Sequence, residues 1–199
     1  ENSFKKENIL EALQTSTNFL LCYQAKNDKI LQEKYSNLVT TLTNIAFPDK
    51  PKINAQIIKK PNNKIKVGFI SSNLNFHSVS KTFKNWITKI DNKSFETSVF
   101  YIGTNNDAMI SQIKKSSNNF FMHTNVEKIY QNIISDRLNL LIFLDIGMDP
   151  KTQILASMKL APIQCCTWGH PSTSGFKNID YFISNELMEN ESSKKYYSE

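Results

Sequence analysis

Hydrophobic residues fall into two rhythms along this chain. Over residues 1–47 they recur every three or four positions: Ile9, Leu10, Leu13, Thr17 and Leu20 share one helical face, and Ile30, Leu31, Tyr35, Leu38, Leu42 and Ile45 share another. The spacing predicts two helices, with Asn27 and Asp28 as the stop and start between them. Neither helix is long enough to be stable alone, so the pair is expected to pack on the rest of the chain or on sequence upstream. Residues 48–63, PDKPKINAQIIKKPNN, hold three prolines and no period, which reads as a linker.

From residue 64 the rhythm changes to short apolar runs separated by amphipathic stretches. IKVGFIS, FETSVFYIG, NFFMHT, LNLLIFLDIG, PIQCCTW and IDYFISN read as strands. Between them come helical patterns through Phe83, Trp86, Ile87 and Ile90, over Asp107 to Lys115, over VEKIYQNIISD with Ile129, Ile133 and Ile134 inward, and over DPKTQILASMK with Pro150 in the first turn. LNLLIFLDIG is too uniformly apolar to have a solvent face. Strand and helix in alternation predict an α/β fold for residues 64–199: a Rossmann-like, mostly parallel sheet with helices on both faces, preceded by the short helical segment.

Such a sheet binds ligands beyond the carboxyl ends of its strands. Three polar loops leave that edge: SSNLNFHSV with His77, DIGMDP with Asp145, Gly147 and Asp149, and GHPSTSG with His170. The third loop holds two of the chain's five glycines, Gly169 and Gly175. Read from the residues alone, His77 equally suits a solvated loop, a helix cap or catalysis. Gly169 and Pro171 suit a plain turn, and Asp145 suits a cap for the next helix. His123, at the end of an apolar strand, is assigned no function. No GxGxxG, Walker, HExxH or GxSxG pattern is present.

Composition narrows the field further. The net charge of +6 comes from lysines dispersed along the chain, with no basic run interleaved with aromatics, so no nucleic-acid partner is expected. Cys22, Cys165 and Cys166 form no CxxC pair, which points away from a zinc site or disulfide frame and toward a reducing, cytoplasmic setting. No segment approaches the roughly 20 apolar residues of a membrane span, and no secretory leader is recognisable. The chain begins at Glu1 without methionine and stops after a charged stretch, so both ends read as cut from something longer.

KVGFISSNLNFHSVS, LDIGMDPKT and LAPIQCCTWGHPSTSGFKNIDYFIS closely resemble the amino-terminal catalytic lobe of the O-linked N-acetylglucosamine transferase family, nearest to its bacterial SPINDLY-like, tetratricopeptide-repeat-linked members. Residues 18–47 resemble the helical segment that joins those repeats to the lobe, and KYYSE resembles the run-up to the second lobe. The resemblance implies two Rossmann-like lobes with a nucleotide sugar between them, of which only the first is encoded here. His77 matches the family's histidine placed as a base or positioning group near the transferred sugar, with Ser78 where the family often has proline. Gly169, His170, Pro171, Ser172 and Thr173 match its donor-sugar loop, in which relatives often carry Tyr at the His170 position.

The same resemblance implies transfer of a sugar, expected to be N-acetylglucosamine, from a UDP-sugar donor to a protein Ser or Thr hydroxyl with inversion. No metal and no cofactor beyond that donor is implied. The partners are protein or peptide acceptors and the nucleotide sugar, with no membrane. Relatives that transfer fucose or act on asparagine leave the sugar and the acceptor atom open. The competing reading is a non-catalytic protein-binding module that retains a degenerate transferase lobe.

Overall fold

The computed structural model describes residues 5–51, 53 and 64–199. Most of the expected linker, 48–63, therefore lies outside the described residues. Six strands form one sheet: β1 (Ile65–Ser71), β2 (Phe95–Tyr101), β3 (Asn119–Met122), β4 (Leu140–Phe143), β5 (Ile163–Thr167) and β6 (Tyr181–Ile183). Every pairing is parallel and the order is β3-β2-β1-β4-β5-β6, so the winding reverses between β1 and β4.

Each face of the sheet carries its own core. On one face, α3 (Ser78–Thr88) and α4 (Ala108–Ser116) bury Val79, Phe83, Ile87, Ile110 and Ile113 against Val67, Phe69 and Val99. On the other, α5 (Val126–Asp136) and α6 (Pro150–Ala156) bury Ile129, Ile133, Ile154 and Leu155 against Ile70, Leu141 and Phe143. β4 lies between β1 and β5 and feeds both cores, which explains its unbroken apolar run.

The helical segment joins the second core, where α1 (Lys6–Leu13) and α2 (Lys29–Ala46) lie on α6. Two details differ from the sequence reading. The first helix ends at Leu13, and a separate 3-10 helix follows at Phe19–Gln24, leaving Leu20 exposed. The side chains of Gln14 and Thr15 bond back to the carbonyls of Leu10 and Ala12, and this local competition closes the helix.

In α2 the expected apolar stripe is split: Ile30, Leu31, Leu38 and Ile45 are each more than half exposed, while Tyr35 and Leu42 pack against the core. Gln32, Ser36, Val39, Thr43 and Ala46 face in. The small residues win because α2 meets backbone closely. Ser36 donates its hydroxyl to the Gly175 carbonyl, and a Cβ on Gly175 would come 2.5 Å from the Gln32 carbonyl carbon. Gly175 also has φ +71°, so both space and conformation require glycine there.

Candidate functional site

The winding reversal places the crevice between the carboxyl ends of β1 and β4. Asp145, two residues past β4, bridges that gap. Its Oδ2 accepts from Ser71 Oγ at 2.9 Å and from Asn73 Nδ2 at 2.6 Å, tying the end of β1 to the end of β4. Oδ1 is buried without a hydrogen-bond partner among the described residues. Burial pushes the Asp145 carboxyl up to about 6, against the pull of its Asn73 and Ser71 donors. Asp145 does not cap the helix that follows it; Asp149 does, accepting from Lys151 N at 2.7 Å.

On the β1 side, the loop ends at His77, the N-cap of α3. His77 Nδ1 accepts from Val79 N–H at 3.2 Å, and Ser80 Oγ accepts from His77 N–H at 3.2 Å, a reciprocal cap. Asp107 buttresses the loop from below. One of its oxygens accepts from Phe76 N at 2.6 Å, while the other caps α4 through Ile110 N at 2.9 Å. That Ile110 bond heads the influences holding the Asp107 carboxyl below the usual carboxylate range. Phe76 is exposed, with the Lys81 ammonium 4.1 Å above its ring.

The loop after β5 is built differently. Thr167 Oγ1 donates to the Leu144 carbonyl at 2.8 Å, and a Cβ on Gly169 would collide with that same oxygen. Glycine is therefore demanded at 169 by the fold itself, through the approach of this loop to the end of β4. The His170 ring is only 3% exposed. It turns toward the helical segment, with Nε2 3.4 Å from the Phe19 carbonyl and 3.8 Å from Cys22 Sγ, and its centroid 5.4 Å from the Phe19 ring. Burial lowers its pKa, so the ring is neutral near pH 7.

The far end of the loop is held by Glu199. One carboxylate oxygen accepts from Ser174 N at 2.8 Å and Ser174 Oγ at 2.5 Å, and the other accepts from Thr173 Oγ1 at 2.7 Å. The Thr173 hydroxyl, 4% exposed, is thus already engaged. Pro171 and Ser172 remain at the surface of a cavity of about 270 Å³, lined also by Cys22, Lys26 and Lys29 of the helical segment and by Glu189, Tyr196 and Tyr197.

The expected site residues are therefore grouped by backbone more than by side chain. His77 and the 169–173 stretch both leave the carboxyl edge of the sheet, with Asp145 between them. The described contacts link the loops through Ser71, Asn73, Asp145 and Leu144 and through the His170 ring lying against Gly147 of the β4 loop, while none joins the two imidazoles. Asp107 and Glu199 were not singled out by sequence reasoning. Asp107 had one available signal, its place as an N-cap after β2, whereas Glu199 acts across 25 residues and carried none. Among the described residues no cluster of His, Cys, Asp and Glu is arranged to hold a metal ion, and no helix is long and apolar enough to cross a membrane.

The architecture is that of a solved O-GlcNAc transferase mutant from Thermobaculum terrenum, with a TM-score of 0.69 at 14% identity. The match covers 98% of this chain but 40% of that one, so the chain spans well under half the length of the protein it resembles. At that identity the likeness concerns the fold. No curated protein matches the sequence. A family model does, over residues 5–199, and by that match the chain belongs to glycosyl transferase family 41.

Proposed function

We propose that this chain is the amino-terminal lobe of a protein glycosyltransferase, transferring N-acetylglucosamine from a UDP-sugar to Ser or Thr hydroxyls of a protein acceptor with inversion. The observation that carries the reading is the convergence of the β1, β4 and β5 loops at the winding reversal of a family 41 chain. In a single displacement the acceptor oxygen bonds to the anomeric carbon as the sugar–phosphate bond opposite breaks, its electron pair leaving with the diphosphate. The hydroxyl proton passes to a base or an ordered water, so donor and acceptor must be held in one cleft. His77 and the backbone of residues 169–173 are the groups this lobe offers to that cleft. Within the loop, Gly169 and Pro171 shape the approach, and Ser172 has its hydroxyl at the surface. His170 and Thr173 hold the loop from behind, engaged with Phe19 and Glu199.

The test is transfer by the full-length protein, incubated with a panel of nucleotide sugars and Ser/Thr-containing peptides and followed by mass spectrometry. A mass increment of N-acetylhexosamine on the peptide, with UDP released, is expected. The 199-residue chain alone is expected to show none, because it spans 40% of the length of the transferase whose fold it shares. No transfer from any nucleotide sugar by the full-length protein would sink the proposal and favour a binding module.

A further inference from the structure

We infer that Cys22 is a site of reversible mixed-disulfide formation, and that the small molecule it takes carries one ammonium and two carboxylates, as each half of glutathione disulfide does. The inference concerns the cavity between the helical segment and the 169–173 loop, and it stands apart from the proposed sugar transfer.

Asp28, in the wall of that cavity, is only 9% exposed. At an N-cap its carboxylate would ordinarily accept an N–H of the first helical turn. Here its backbone is already helical, with φ −90° and ψ −3°, and the side chain makes no cap bond. Asn27 Oδ1 accepts from Lys29 N instead, at 3.1 Å. Nor does Asp28 enter any ion pair among the described residues, although Lys26 and Lys29 line the same cavity. A carboxylate so placed calls for a donor from outside the chain. Glu189, the other acid in the wall, is already engaged by Ser184 Oγ at 2.6 Å and Tyr197 Oη at 2.7 Å. What the cavity offers a ligand is therefore one carboxylate, two ammoniums and a thiol.

The thiol is placed to react. Cys22 is half-buried, whereas Cys165 and Cys166 are buried, and burial pushes the Cys165 thiol up to about 11 and raises that of Cys166 as well. Cys22 Sγ donates to the Phe19 carbonyl at 3.4 Å. That oxygen can only accept, so the proton of the neutral His170 ring sits on Nε2, 3.4 Å away from it. The same N–H lies 3.8 Å from Sγ and is the donor a thiolate would turn to. In the exchange the thiolate bonds to one sulfur of the disulfide as its S–S bond breaks. The electron pair leaves with the second glutathione, which takes up a proton from solvent in place of the one the Cys22 thiol released. Cys22 is oxidised and one glutathione is reduced. The retained half sets its ammonium on Asp28 and its carboxylates on Lys26 and Lys29.

The test is disulfide exchange by the folded full-length protein with three probes: glutathione disulfide, its N-acetylated form lacking the ammonium, and neutral hydroxyethyl disulfide. Each rate is divided by that of the same probe with an unstructured cysteine peptide, and peptide mass spectrometry locates the adduct. On this scale glutathione disulfide is expected to modify Cys22 about tenfold faster than either other probe, and dithiothreitol to reverse it. Asp28→Asn should erase the preference over the N-acetylated probe, and Lys26→Ala with Lys29→Ala the preference over the neutral one. Cys22→Ser should abolish the adduct. The comparison of probes on the wild type needs no variant, so it decides the matter even where a variant fails to fold. Equal normalised rates for the three probes, or no adduct at Cys22, would overturn the inference whether or not the protein transfers sugar.

Discussion

The loops after β1 and β5 each carry one histidine, and they are held in opposite ways. The β1 loop is fixed by its own turn of backbone, through a reciprocal cap at His77 and a serine bond to Asn75, and by two outside braces, Asp107 on Phe76 and Asp145 on Asn73. The β5 loop is fixed from three directions, by Leu144 beneath Gly169, by Phe19 and Cys22 around His170, and by Glu199 beyond Thr173. Two polar loops of similar composition thus divide the work. One presents a partly exposed imidazole, and the other commits its imidazole to packing and presents backbone.

The sharpest break of this contrast is Gly169→Val. Its side chain meets the Leu144 carbonyl, a fixed backbone atom, so a loss of about 3 kcal/mol or more, or failure to fold, is expected on chemical denaturation. Asp145, between the loops, gives the next effect through pH. Its folded-state pKa of about 6 exceeds the ordinary carboxylate value, so the native state binds the proton more tightly than the unfolded chain. The stability this group contributes is complete below about pH 4 and is lost as pH rises through about 6. The stability of Asp145→Asn relative to wild type should therefore improve by an amount on the order of 3 kcal/mol between about pH 4 and about pH 7. A flat difference across that range would show that Asp145 keeps its charge in the fold.

His170→Ala should cost about 2–3 kcal/mol through the cavity left against Phe19, whereas His77→Ala should cost about 1 kcal/mol through loss of the cap. Thermal denaturation of both variants reads the ranking, and equal losses would erase the contrast between the loops. Glu199→Ala is expected to lower stability by about 1–2 kcal/mol and, under the proposed function, to raise the donor KM of the full-length protein more than it lowers kcat, because it frees Thr173 and Ser174 without touching His77.

β4 was legible because a strand buried on both faces reads as an unbroken apolar run, LLIF, while β2 and β5 showed through short apolar runs despite the buried Thr97, Ser98 and Gln164. The cap at His77 was one of the readings its position allowed. The inward face of α2 was not legible. Periodicity finds an apolar stripe but not the partner, and here part of the partner is the Gly175 backbone, which meets Ser36 and leaves Ile30 and Leu38 outside. The direction of the His170 ring was equally hidden, since a turn sequence does not say which side of the backbone a side chain takes. Gly169 was legible as special, but the close approach that requires it is to Leu144, distant in sequence and adjacent only in the sheet.

The Gly175–α2 contact has a practical consequence for anyone dividing this protein. The first 47 residues look like a detachable preface, yet α2 lies against the turn that ends the β5 loop, and Phe19 shields His170. A polypeptide started at residue 64 would open the side of the lobe that holds Phe176 and Ile154 to water and strip the backing from residues 169–175. The helical segment is inherited together with the loop it supports, and substitutions on the inner face of α2 will be felt at the rim of the crevice.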